Sequence, residues 1–200
     1  ADETPHKMLE GSETKSWYLW GFTNLKNCYL ECHNTRSGDI AFEILKNSKC
    51  EVIVSDVFGG YNKAMTAINL LRAENNQALI FNANCNAHAR RYFFKPRFNY
   101  PQCDFYLENY HQIYLLNSVA KEKPPDEVLQ IRQKMKKYFL AMKERAEAEV
   151  LSGEFPVQGK YYKALNYYLE NYTKLIYFLD YADVAIDNNA QERLLRSHVV

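Results

Sequence analysis

Charge of one sign is what this 200-residue sequence most plainly lacks, with 25 lysines and arginines set against 24 aspartates and glutamates. That balance excludes a polyanion-binding surface spread over the whole molecule, so any nucleic-acid site must be a local patch. Long apolar runs are missing as well, and no signal-peptide pattern is present, which argues against a membrane partner. Cysteine is scarce and odd in number, five residues in irregular spacing, so a disulfide framework is disfavoured and a reducing cytosolic compartment is the simplest inference. Internal repeats and low-complexity tracts are absent. An initiator methionine is missing too: the chain opens Ala1-Asp2-Glu3-Thr4 and closes His198-Val199-Val200, which reads as an excised fragment. What is plentiful is aromatic residues, 16 tyrosines and 11 phenylalanines in a composition 47% hydrophobic. Most of these belong to a core, and the length suits one globular domain with an inserted subdomain.

The stretch Glu51–Asn62 organises the rest. Val52, Ile53 and Val54 are consecutive β-branched residues suited to a strand buried on both faces, Gly59-Gly60 ends the run with a turn, and Asp56 stands where the strand runs out. Carboxyl ends of strands are where open α/β sheets bind ligands, although an aspartate there is equally a turn former that bonds nearby backbone.

Before it, Glu10–Ser16 reads as a polar turn. Trp17–Phe22 and Cys28–His33 are two strands joined by a turn at Asn24–Asn27, and Ser37 offers an N-cap to a short helix. After it come a helix over Tyr61–Asn75 and a strand at Ala78–Phe81. That order matches an α/β, ribonuclease H-like plan, a mixed sheet with helices on both faces. Helices are then predicted over 84–95, 104–121, 126–151 and 160–179 from apolar residues at three- and four-residue steps. The expected division is a core over 1–99, an all-helical insertion over 100–156, and helices over 157–200 returning to the core. Asn188 and Gln191 have capping-box spacing, which puts Glu192 on the first turn of a last helix.

Phosphodiester chemistry needs an activated oxygen nucleophile and a stabilised leaving oxygen, and two divalent ions about 4 Å apart supply both when carboxylates hold them. Asp2, Asp56 and Glu192 are candidates from three separate elements. Each has a plainer reading: a chain-terminal residue for Asp2, a turn former for Asp56, and an exposed helix residue paired with Arg196 for Glu192.

Five blocks in order distinguish these readings: Ala1-Asp2-Glu3-Thr4-Pro5; Trp17-Tyr18-Leu19-Trp20; Ser55-Asp56 with Gly60-Tyr61-Asn62; Cys85 through Phe93; and Ile186-Asp187-Asn188-Asn189-Ala190-Gln191-Glu192-Arg193 with Arg196. Together they resemble the IS66-family transposases over nearly the whole chain. The resemblance implies a DDE catalytic core in which Asp2, Asp56 and Glu192 are ligands of two magnesium ions, with manganese as substitute. It also implies cleavage and strand transfer on DNA, at transposon ends and at a target, by a homo-oligomer in a bacterial, nucleoid-associated setting. Two departures stand out: Val57-Phe58 follows Asp56 where glycine is commoner, and Asn86 occupies a frequent tryptophan position at some expected loss of packing.

Arg90, Arg91, Lys95 and Arg97 form a basic cluster, and Arg193 and Arg196 follow the last carboxylate. These suit phosphate contacts, with a solvated helix face as the competing account. His88 is expected, by the resemblance, near the catalytic pocket, contacting DNA or supporting a carboxylate. Cys85 and His88 make at most half a zinc site, since no second half is evident. The rival functions are a ribonuclease H-like nuclease that cuts without joining, and a non-catalytic DNA-binding or assembly module.

Overall fold

A computed structural model describes residues 1–6, 17–24 and 26–196; the turn expected at 10–16 lies outside them. The chain forms two compact units, one of residues 1–84 with 187–200 and one of residues 85–186.

In the first unit, strands β1 (Asp2–His6), β2 (Trp17–Thr23) and β3 (Cys28–His33) make an antiparallel meander in the order β1-β2-β3. Strands β4 (Val52–Ser55) and β5 (Phe81–Asn84) pair in parallel. The Ala1 main-chain nitrogen links the two sheets by donating to the Val54 carbonyl at 2.7 Å. Alternation along β2 assigns each face its own helices. Trp20 points into a core shared with α1 (Gly38–Leu45) and α2 (Gly59–Glu74), through Ala41, Leu45, Tyr61, Ala64, Met65 and Ile68. The next residue, Gly21, faces the other way, against Gln191 and Leu195 of α7 (Asn189–Arg196). A Cβ there would fall 1.9 Å from the Gln191 amide nitrogen, so glycine is what lets α7 lie on the sheet. Close backbone approach also joins α1 to α2, since a Cβ at Gly38 would sit 2.3 Å from the Gly60 carbonyl oxygen.

Two local expectations shift. Gly59-Gly60 is the first turn of α2 rather than a separate turn before it. The β5 strand begins at Phe81, three residues beyond the start of the apolar run at Ala78, and Leu79 is exposed. Its polar residues are buried because they are partnered: the Ser55 hydroxyl donates to Asn82 Oδ1 at 2.8 Å. Strand β4 is alternately buried and half-buried, with Ile53 and Ser55 innermost.

The second unit is helical: α3 (Asn86–Phe94), α4 (Cys103–Ala120), α5 (Pro125–Ser152) and α6 (Lys160–Ile176), closed by a 3-10 turn at Tyr177–Asp180. Within it α3 packs on α4 and α6, and α5 packs on α4 and α6. Its interior is aromatic, with Phe93 stacked on Tyr106 at 4.1 Å between ring centres and Phe139, Tyr168 and Phe178 fully buried. Asn86 is fully buried there, and its Oδ1 has no hydrogen-bond partner among the described residues. Its amide donates to the carbonyls of Leu175 (2.9 Å) and Ile186 (3.1 Å), fastening the start of α3 to the last turn of α6 and to the end of the loop that follows. Arg132 of α5, buried, donates to the carbonyls of Phe178 (2.7 Å), Tyr181 and Val184 (2.9 Å) and so shapes the loop that leads to α7. No helix among the described residues is long and apolar enough to cross a membrane.

Candidate active site

Three elements of the first unit meet at Ala1. Its main-chain nitrogen bonds to Val54, two residues before Asp56, and its carbonyl accepts from the Asn188 amide at 3.2 Å, four residues before Glu192. Asp2 therefore lies beside the end of β4 and the first turn of α7. The same strand register that sets Asp2 opposite Gly21 turns its side chain to the α7 face.

The electrostatics follow from that convergence. The Asp2 carboxyl is raised from 3.8 to about 7, first by burial and then by the negative charges of Glu3, Glu192 and Asp56, against a lowering hydrogen bond from the Glu3 N–H (3.0 Å). Burial and like charges both disfavour the ionised form. Asp2 thus feels the charges of three other carboxylates.

Glu3, which sequence reasoning missed as a working residue, lies on the opposite face of β1. Its side chain is fully buried against Trp20's face of the sheet, and both oxygens are engaged. Oε1 accepts from Arg36 Nε at 2.8 Å, and Oε2 accepts from the Tyr61 hydroxyl at 2.7 Å. The Glu3 carboxyl is raised overall, by burial first, against lowering hydrogen bonds from Tyr61 and Arg36. Burial lowers the Arg36 guanidinium, yet Glu3 raises it overall. With donors on both oxygens, the ionised form of Glu3 is the one this geometry accommodates. Tyr61, pushed well above its ordinary range by burial and then by Glu3, stays protonated and donating. The only sequence signal for this cluster was the presence of Glu3 and Tyr61 inside two of the quoted blocks.

The plainer role of Asp56 is also realised, and that of Glu192 in its pairing but not in its exposure. Asp56 Oδ1 accepts from the Phe58 N–H at 3.1 Å, closing the turn into α2. Glu192 Oε2 accepts from Arg196 at 3.0 Å, with the glutamate side chain only 11% exposed. The capping box does not form: the Gln191 amide makes no hydrogen bond among the described residues, and Asp187 Oδ1 takes the Asn189 N–H at 3.1 Å instead. Arg193 is exposed on α7. His88, Arg90 and Arg91 lie on α3 and Lys95 caps its end, in the helical unit. Among the described residues, no three His, Cys, Asp or Glu side chains stand grouped as metal ligands, and Cys85 is buried. In kind, however, a half-buried Asp2 crowded by Asp56 and Glu192 fits a hard cation: the donors are oxygens, and their mutual repulsion is what a cation relieves.

The family model for the IS66 family of transposases matches residues 1–200. The chain belongs to that family. No curated protein and no solved structure matches this IS66-family chain. The match spans both units, so the helical unit is as much a part of the family's region as the sheets.

Proposed function

We propose that this chain is the catalytic region of a DDE transposase with a ribonuclease H-like core, cutting and joining DNA strands at transposon ends. The observation that supports the reading is the double anchoring of Ala1, to Val54 on one side and Asn188 on the other, which sets the start of β1 beside the segments that lead to Asp56 and Glu192. Asp2, Asp56 and Glu192 would hold two magnesium ions, or manganese in their place. Such ions, when bound, activate the attacking oxygen and stabilise the leaving one.

The chain's own residues set the stage. Glu3, clamped by Arg36 and Tyr61, fixes β1 so that the adjacent Asp2 is presented on the α7 face. Gly21 lets α7 settle on β2, which brings Glu192 to the same face. Arg193, exposed next to Glu192 on α7, would contact a phosphate of the bound strand, and Arg196 tethers the Glu192 carboxylate. In the helical unit, Arg90 and Arg91 of α3 and Lys95 at its end would contact phosphates, with His88 on the same helix. The active assembly on DNA is a homo-oligomer.

Metal-dependent strand cleavage and strand transfer test this reading. Asp2→Asn, Asp56→Asn and Glu192→Gln should each abolish both; cleavage that survives in all three sinks it. Products that are cut but never joined would instead assign a nuclease. The existing bonds of Asp56 to Phe58 and Glu192 to Arg196 favour one rival, a non-catalytic DNA-binding module. Such a module would bind DNA with steep salt dependence and no response to magnesium.

A further inference from the structure

The segment Asn86–Cys103 of the helical unit contains no aspartate or glutamate, yet it carries Arg90, Arg91, Lys95 and Arg97 among five aromatic residues. One of those aromatics, Phe93, is buried in the core. Three others reach solvent: Tyr92 is 42% exposed, Phe94 39% and Phe98 83%. Phe98 is not exposed through looseness of its loop. The N–H groups of Asn99 and Tyr100 both bond to the Pro96 carbonyl, at 3.0 and 3.1 Å, Pro96 is buried, and Tyr100 stacks on Tyr161 at 5.4 Å between ring centres. A tight turn therefore holds Phe98 outward between two fixed points.

The Arg97 guanidinium lies over both neighbouring rings, 3.8 Å from the centre of Phe94 and 4.7 Å from that of Phe98. Arg90 approaches Phe94 from farther off, at 5.8 Å. Arg97 thus bridges the Phe94 and Phe98 rings, with a second cation, Arg90, at the edge of contact range from Phe94. Scattered exposed aromatics are ordinary, but this set is contiguous in sequence, structurally held and uniformly cationic. An apolar partner would strand the cations, and a duplex hides its base faces. Unpaired bases on a phosphate backbone satisfy both halves of the surface, since every base has a face to stack and every nucleotide a charge to neutralise.

From this arrangement we propose that Arg97, Phe98 and Phe94 form a stacking platform for single-stranded DNA, with Phe98 as the base-stacking residue and Lys95 and Arg90 neutralising the backbone. The proposal rests on the transposase reading above, as the site where a strand separated from its complement at a cut end is held.

The test is fluorescence anisotropy of a labelled oligothymidylate with the whole chain in EDTA, which makes it independent of the carboxylates. Wild type should bind the single strand more tightly than a duplex of equal length. Phe98→Ala and Phe98→Leu should each weaken it on the order of tenfold, and Phe98→Trp should restore it with tryptophan emission quenched on binding. Because Phe98 is so exposed, these variants should keep the wild-type circular dichroism and melting temperature. Binding by Phe98→Ala that equals wild type, or tighter binding of duplex with no dependence on Phe98, overturns the platform. Cleavage that persists alongside such indifference would leave the transposase reading standing. Single-strand binding through Phe98 with no cleavage by any form would remove that reading and leave the platform.

Discussion

Asn188 donates its side-chain amide to the Ala1 carbonyl at 3.2 Å, joining residues 187 positions apart in the chain. This bond holds the N-terminal turn of α7 to the start of β1, and with it the spacing between Glu192 and Asp2. Asn188→Ala should lower stability by about 1 kcal/mol, the ordinary worth of one such bond. Activity should fall further than that stability change explains. Urea unfolding beside a cleavage assay at a temperature where both proteins are folded checks it; activity that tracks the folded fraction alone would refute the positioning role.

Tyr61→Phe leaves Glu3 Oε2 buried without its donor. The cost should be about 1–3 kcal/mol, as for an unsatisfied buried acceptor. Glu3→Gln in the Tyr61→Phe background should cost less than the sum of the two changes, because the pair acts as a unit. A double-mutant cycle by chemical denaturation measures the coupling, and strict additivity would contradict the clamp.

Asp2 carries a pH signature in the metal-free protein. Its folded carboxyl is raised to about 7 from 3.8, by burial first and neighbouring carboxylates second. Below pH 4 both states hold the proton and nothing is lost. As pH climbs towards 7 the unfolded chain ionises while the folded one resists, so stability declines across that window and stays lower above it. Asp2→Asn removes the decline, and its variant should be more stable than wild type at pH 8, by up to a few kcal/mol at ~1.4 kcal/mol per pKa unit, and nearly equal at pH 4. Thermal melts at the two pH values decide; a variant no more stable at pH 8 would mean that Asp2 is not crowded.

Arg132→Lys should fail to replace arginine. The guanidinium serves carbonyls of Phe178, Tyr181 and Val184 from one planar group, which a single ammonium cannot reproduce. Loss of about 2 kcal/mol or more is expected. Hydrogen exchange should show the 177–186 segment opening before α5. Protection unchanged in that segment would be the contrary result.

Much of this architecture was legible beforehand wherever side-chain chemistry and local geometry agree. Ser37 caps α1, Gly153 ends α5 in the left-handed conformation (φ 66°), and the aromatic strands β2 and β3 pair as their composition suggests. The β5 strand was displaced because Asn82 and Asn84 are polar residues made burial-competent by partners distant in sequence, which no local pattern displays. Gln191 is the mirror case. Its spacing from Asn188 suggested a capping box, but packing against Gly21 wins, and the amide is turned onto the sheet. Asp2, Asp56 and Glu192 are proposed from their blocks rather than from spacing. Glu3 and Arg36 escaped notice because a buried ion pair between residues 33 apart leaves no periodic trace.

Manganese binding tests the central claim most directly. Titrating the protein with manganese and following free ion by electron paramagnetic resonance should give saturable binding to wild type that is lost in Asp56→Asn, with both proteins folded by circular dichroism. Equal saturable binding by wild type, Asp2→Asn, Asp56→Asn and Glu192→Gln would contradict the account, because the ion would then be held somewhere other than among these carboxylates.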